Sequence, residues 1–522
     1  MKKVVVIGAG PAGLTAGLEL MRASKEYEVI LLEETGTVGG ISRTVRYHGN
    51  RMDIGGHRFF SKDDEVTRWW EALLPMQGAP AYDDLLLDRE VPLAAGGPDP
   101  EREDRVMLTR RRVSRIYYRQ KFFDYPVKLN ANTLKSLGLT AALQAGASYL
   151  AAAARKRPED SLENFYINRF GRKLYAMFFE GYTEKLWGRH PRVISAAWGA
   201  QRVKGLSVTA ILKDMAGKLR SAGDRNPKQV ETSLIESFSY PKLGPGQLWE
   251  EAARQFEEAG GRLRLGCRVT GVTCSGGKAE SVTYLKGGQT HTERADIVIS
   301  SMPLKDLIAG MDSVPKVVKD VAQGLPYRDF VTVGLLVKKL NLKNHTSIRT
   351  LQDLPPDEWI YVQDASVKLG RIQVFNNWSP YLVKNPRETV WMGLEYFCAE
   401  GDEYWSMDEK AWTEFAADEL LKMGVLASKA DVLDAHLERV KKAYPAYFDT
   451  YEQIDTLIDY LNGIENLYCI GRNGQHRYNN MDHSMATAFE AVRNIISGRQ
   501  DKSNIWQVNT EQAYHEEKEV AQ

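Results

Sequence analysis

An α/β fold is predicted by three features of the chain. Val4 to Ile7 is an apolar, mostly β-branched run followed at once by Gly8, Gly10 and Gly13, which lead into an Ala/Leu-rich helical pattern through Leu20. A second apolar run, EVILL, ends in the acidic Glu33. Near the other end, ENLYCIGRNGQ reads as a strand entering a glycine turn, and MDHSMATAFEAVRNIISG as the helix after it. Strand, glycine turn, helix and second strand in this order form a Rossmann-like nucleotide-binding unit. The late strand and helix predict that the chain returns to that unit.

Each glycine has a physical task. Gly8 permits the tight turn, Gly10 lets the backbone approach a pyrophosphate, and Gly13 lets helix and strand pack closely, while the helix N-terminus faces the negative charge. Glu33 is placed to accept hydrogen bonds from the ribose hydroxyls of an adenosine, and its charge disfavours a 2′-phosphate. Gly39 and Gly40, with Ser42, Arg43 and Thr44, resemble the second glycine pair of the glutathione-reductase-like FAD enzymes. The resemblance implies FAD rather than NAD, with this pair near the pyrophosphate and ribityl chain.

Taken in order, residues 1–88 are expected to form the first part of the FAD-binding domain. Asp88 to Arg105 is rich in Pro, Gly and charge and reads as an inserted or flexible loop. Residues 106–220 are expected to be a substrate segment with an interleaved helical subdomain, because Leu134 to Leu219 is dominated by Ala, Leu, Lys and Glu, with a break at Gly188 to Pro191. Residues 230–310 return to the FAD domain through the strand patterns GRLRLGCRVTGVTC, SVTYLK and ADIVISSMP. Residues 311–455 are expected to form a mixed β-sheet substrate domain, from the aromatic-rich runs Tyr327 to Lys339 and Ile372 to Phe397. Residues 456–500 complete the FAD domain, and 501–522 read as a polar tail.

With 522 residues the chain can bury a large core spread over two or three domains. A formal net charge of +1 gives no argument for nucleic acid or an anionic membrane surface. Arg110, Arg111, Arg112, Arg115 and Arg119 make a local basic cluster, expected to be a solvated loop or strand edge. Cys267, Cys274, Cys398 and Cys469 are dispersed, with no CxxC pair and no companion histidines. Neither a disulfide framework nor a metal site is therefore expected, and a reducing, cytoplasmic setting fits best. The first strand opens the sequence, so no removable signal peptide is expected. Leu143 to Ala154 falls short of the roughly eighteen apolar residues a membrane span needs and contains Gln144 and Ser148.

Five further motifs carry a specific resemblance. DIGGHRFFSKDDEV, FFEGYTEKLWG, WGAQRV, FNNWSPY and GRNGQHRYNNMDHSMATAFEAV resemble, in order, five segments of the UDP-galactopyranose mutases: the histidine loop, the helical-domain signature, the segment with an active-site arginine, a segment of the eukaryotic-type enzymes, and the C-terminal flavin motif. That family lies within the FAD-dependent amine oxidase and protoporphyrinogen oxidase superfamily, and the likeness covers nearly the whole chain. It implies a redox-neutral reaction in which reduced flavin N5 attacks the anomeric carbon of a nucleotide sugar, UDP leaves, and the sugar reopens and recloses from pyranose to furanose before UDP returns.

The same resemblance implies roles for individual residues. His57, after Gly56, lies beside the flavin and stabilises its reduced form. Gly471, Arg472, Asp482, His483 and Ser484 contact the cofactor from the C-terminal motif, and the helix beginning near Asp482 favours an anionic flavin. Val269 is a further cofactor contact. Tyr182 and Trp187 line the nucleotide site, Asn377 joins the substrate side, and Arg202, Tyr327, Tyr444 and Tyr478 face diphosphate or flavin. The mutases carry a diphosphate-gripping arginine on a glycine-rich strand after Tyr327, whereas this chain has GLLVKKL. Lys338 is nearest to that place, with the charge but without the bidentate fork.

Plainer roles compete with these: His57 as a loop cap, Trp187 as core packing, Tyr327 and Tyr444 as buried aromatics. Two other functions share the fold. One is a true oxidoreductase in which oxidised FAD takes a hydride from an amine, porphyrinogen or polyene. The other is a binding protein like the Rab escort and GDI proteins, against which the intact GAGPAG, Glu33 and C-terminal motif argue. NAD(P)H is the candidate reductant, although no second Rossmann fingerprint is visible. The oligomeric state is not legible in one sequence.

Overall fold

Val4, Val5, Val6 and Ile7 are all buried, so the strand Lys2–Ile7 has no solvent face, as the centre of a parallel sheet requires. In the computed structural model, which describes residues 1–125, 137–196 and 237–508, this strand is the middle of a five-stranded parallel sheet. The order is Leu467–Cys469, Ile297–Ser300, Lys2–Ile7, Tyr27–Leu32, Arg262–Arg264. Successive side chains point to opposite faces: Val4 and Val6 join one core, Val5 and Ile7 the other. On the first face the helix Pro11–Ala23 packs against Gly246–Glu258 and Met481–Ser497. On the second lie the antiparallel strands Arg268–Ser275, Lys278–Lys286 and Gln289–Arg294. The α/β fold is the one expected.

This sheet belongs to one of two units into which the described chain divides, made of Met1–Thr109, Ser239–Asp329 and residues 440–508. The other is made of the described parts of Arg110–Phe238 and Phe330–Arg439. It is built largely on a seven-stranded mixed sheet in the order Val432–Pro445, Tyr327–Val337, Val390–Cys398, Arg371–Val374, Trp359–Val362, Ser114–Tyr118, Lys121–Asp124. Its helices include Leu139–Ala154, Leu162–Phe178 and Glu180–Trp187, the last ended by Gly188 in the left-handed conformation.

The structure refines four expectations from the sequence. Residues 311–329 and 440–455 fall in the first unit, where Val318, Val321 and Ala322 of the helix Lys316–Gly324 fill its second core. The stretch Asp88 to Arg105 is tied down: the Ala94 N–H donates to Gln77 O (2.9 Å) and the Gly78 N–H to Pro98 O (2.8 Å). Lys242 Nζ, itself buried, donates to Pro100 O (2.6 Å), Glu103 O (3.3 Å) and Asp104 Oδ1 (2.7 Å). Residues 501–508 are no solvated tail, since the short helix Ser503–Gln507 buries Ile505 and Trp506. The arginine cluster is solvated only in part, at the exposed Arg111 and Arg119. Arg110 is buried with Nε on Trp378 O (3.1 Å), and Arg115 grips Asp357 through Nε (3.0 Å) and Nη2 (2.6 Å).

Candidate functional site

In the first unit three glycine segments converge on the start of the helix Pro11–Ala23. Gly8 has φ +97°, and a Cβ on Gly13 would lie 1.8 Å from the Gly8 carbonyl oxygen, so this turn closes only with glycine at both places. The Gly39 N–H donates to Ala9 O (2.8 Å), and a Cβ on Gly40 would lie 3.3 Å from Gly10 Cα. A Cβ on Gly471 would meet that of Ala12 at 2.8 Å. Ser42 is buried, with its N–H on Gly39 O (2.9 Å). Gly10 gives the helix no side-chain cap, which leaves first-turn N–H groups for an anion. Glu33 Oε2 accepts the Ala9 N–H (2.7 Å), and Oε1 accepts from the Thr35 N–H (2.9 Å) and hydroxyl (2.8 Å). A carboxylate has about four lone-pair sites, so a ribose hydroxyl can still be received. Cradle and acidic end fit the adenosine diphosphate half of FAD.

His57, Arg472 and the Asp482 region form a second group in this unit. His57 Nδ1 lies 2.6 Å from Gly55 O, so Nδ1 carries the proton and Nε2 is an acceptor. Burial holds this imidazole down to about 4, against the Gly55 carbonyl and helped by the charge of Arg472. The cation in this group is Arg472. Its Nε (3.0 Å) and Nη2 (2.7 Å) donate to Asn479 O and its Nη1 to Ala443 O (2.9 Å). Asp482 Oδ2 accepts the Ser61 hydroxyl (3.0 Å), Ser484 Oγ donates to Asn479 Oδ1 (3.0 Å), and His483 Nδ1 accepts the Asn480 N–H (3.4 Å). Gly56 stands beside His57 in the chain. Val269 is half-buried opposite Tyr284, against the second core.

Tyr444 and Tyr478 stack with ring centroids 5.4 Å apart at 16°, with the Arg472 guanidinium 4.7 Å from the Tyr478 ring and 5.8 Å from that of Tyr444. The segments carrying them are stitched together by Asn473 Nδ2 on Lys442 O (3.1 Å), His476 Nε2–H on Ala446 O (3.0 Å) and the Tyr478 N–H on Tyr447 Oη (2.6 Å). The sequence reading missed His476. Burial, with the charge of Lys305 assisting, lowers it to about 4 against its bond to Ala446, and its ring meets Tyr327 edge-on at 4.6 Å.

In the second unit the polar centre is a residue the sequence reading did not single out. Arg371, 7% exposed, donates from Nε to Tyr182 Oη (2.8 Å) and from Nη1 to Glu395 Oε2 (3.2 Å). Gln373 Nε2 donates to the other Glu395 oxygen (3.1 Å). The guanidinium lies over Trp359 (5.2 Å), Phe397 (5.1 Å) and Tyr361 (5.9 Å), and Tyr125 stacks on Tyr361 at 4.3 Å. Burial pushes the Glu395 carboxyl up against the pull of Arg371. The sequence does offer one signal, the alternation WIYV and RIQVF of aromatic and cationic residues.

Other candidates fall elsewhere. Trp187 is buried at the end of its helix. Asn377 spends both amide hydrogens on Pro355 O and Asp357 O (2.8 Å each), so it holds a turn. Lys338 is exposed beyond the last residue of Tyr327–Val337, a full strand length from Tyr327, its N–H on Asp431 O. The structure does not bring Lys338 together with Tyr327. Arg202 and the WGAQRV segment lie outside the described residues. Among the described residues no group of three or more His, Cys, Asp or Glu could hold a metal ion, and no helix is long and apolar enough to cross a membrane.

The family description of flavin-containing amine oxidoreductases matches residues 11–471. No curated protein matches the chain in sequence. Among solved structures, reduced UDP-galactopyranose mutase superposes with a TM-score of 0.75 at 20% identity, over 98% of this chain and 100% of that one. A protein of Exiguobacterium sp. 255-15, provisionally named a protoporphyrinogen oxidase, gives 0.66 at 14% identity, over 95% and 99%. Putrescine oxidase with putrescine bound gives 0.56 at 14%, over 95% and 99%. At these identities the likeness is one of fold.

Proposed function

This chain belongs to the flavin-containing amine oxidoreductase family, and from that premise we propose that it is an FAD enzyme interconverting the pyranose and furanose forms of a nucleotide sugar without net redox change. Bound FAD supplies a nucleophilic N5 when reduced and a hydride acceptor when oxidised. The protein's part is to hold the adenosine end at Gly8, Gly10, Gly13 and Glu33 and to position the ring near His57 and Arg472. It must also receive a diphosphate and a planar base on the substrate side.

The observation that carries the reading is Arg371. A guanidinium among Tyr182, Trp359, Tyr361 and Phe397 offers charge-assisted donors to phosphate beside aromatic faces suited to a nucleobase. An arriving diphosphate would compete with Glu395, whose ionisation burial already disfavours. Arg371 thus replaces Lys338 as the candidate leaving-group clamp, and Tyr182 remains on the substrate side through their shared hydrogen bond. Tyr444 and Tyr478 are candidate partners on the cofactor side, held as a pair.

The family assignment itself favours a second reading, oxidation of an amine or other small molecule by hydride transfer to FAD. The two separate in one experiment: anaerobic incubation of UDP-galactopyranose and related nucleotide sugars with dithionite-reduced or oxidised enzyme, followed by chromatography. An isomer of unchanged mass formed only with reduced flavin is the expected result. No conversion in either state, together with flavin bleaching by an amine, would replace the mutase reading with the oxidase one.

A further inference from the structure

Asp53 ends the strand Asn50–Asp53 and is completely buried. Its carboxyl has two partners, both hydroxyls. Oδ1 accepts from Thr44 Oγ1 (2.9 Å), and Oδ2 is bonded to Tyr240 Oη. Thr44 lies directly opposite Asp53 in the hairpin, and its hydroxyl oxygen accepts the Gly246 N–H (3.0 Å) at the start of the helix Gly246–Glu258. A Cβ on Gly244 would lie 2.4 Å from Thr44 Oγ1 and 2.9 Å from Asp53 Oδ1, so backbone closes over the cluster.

The cluster's place gives it meaning. Thr44 follows the second glycine pair by four residues, and Asp53 precedes by two the Gly55 carbonyl that fixes His57. One buried carboxyl therefore joins the glycine segment, the histidine segment, the strand Ser237–Pro241 and a helix start. The charged groups around the hairpin are Arg46 and Arg51, with Glu250 and Asp104 acting on Arg51. Among the described residues none of these bonds to Asp53, and Tyr240 is the one titratable group that does. A buried carboxylate with no cation is costly, and burial raises Asp53 to about 7, against the pull of Tyr240 and Thr44.

We propose that Asp53, Thr44 and Tyr240 form a proton-linked latch on the cofactor crevice: with Asp53 protonated, the glycine and histidine segments are held in register for FAD, and on its ionisation FAD is held less tightly. The proposal rests on FAD binding and not on which reaction follows.

The test is FAD affinity of the apoprotein, read by flavin fluorescence quenching from pH 6 to pH 8.5, with the melting temperature of the apoprotein measured in parallel. If only the protonated form binds well, proton linkage weakens wild-type affinity about tenfold by pH 8. Asp53→Asn should bind with the low-pH affinity throughout, and its melting temperature should lose the decline expected of wild type as the pH rises from about 4 to about 7. Should Asp53→Asn fail to fold, Thr44→Val, which cuts the carboxyl from the glycine segment, is expected to flatten the affinity profile. A flat wild-type profile, or a slope that survives in the folded variants, overturns the latch. Failure to bind FAD at any pH would instead overturn the flavin assignment.

Discussion

The two units build their candidate sites differently. The cofactor crevice of the first is made of backbone: glycines that let chain approach chain, unclaimed N–H groups at a helix start, and one carboxylate. The Arg371 cluster of the second is made of side chains from separate elements, a guanidinium and a carboxylate set among aromatic rings. A backbone site fails through sterics when a side chain is added. A side-chain site fails through lost charge when one is removed.

The harshest break in this contrast is Gly13→Val. With even a Cβ only 1.8 Å from Gly8 O, the helix must shift, at a cost of about 3 kcal/mol or more. The expected outcome is loss of FAD absorbance together with soluble yield. Next is Arg371→Ala, which leaves Glu395 buried without its cation and costs about 3–5 kcal/mol in thermal or chemical unfolding. The FAD spectrum should survive, and a second change, Glu395→Gln, should restore much of the stability but not substrate turnover. Glu33→Gln removes charge from the acceptor of the Ala9 N–H and should weaken FAD binding about tenfold, or roughly 1.4 kcal/mol, in a quenching titration. At the small end, Lys338→Ala should change stability by less than about 0.5 kcal/mol and leave turnover intact. A large loss of turnover there would return the leaving-group clamp to Lys338.

The same contrast decides what was legible in the sequence. Gly8, Gly10, Gly13, Glu33, Gly39 and Gly40 are close along the chain, so their spacing carries their geometry. Arg371 was not legible, because Tyr182, Glu395 and Trp359 reach it through strand pairing and a helix far away in sequence. The stretch Asp88 to Arg105 reads as a loop and is one, but its anchoring was not legible, because Lys242 is well over a hundred residues distant. In residues 501–508, polar neighbours mask the two apolar anchors Ile505 and Trp506.

Those last described residues also bear on how firmly the flavin is held. Gln475 Nε2 donates to Ile505 O (2.9 Å) and Arg477 Nη1 to Val508 O (3.1 Å), so the segment bearing Gly471 and Arg472 is backed by chain synthesised some thirty residues after it. Removing residues 501–508 takes both acceptors away from the segment that follows Gly471 and Arg472, so a protein shortened there is expected to hold its flavin more loosely and to lose colour on dialysis.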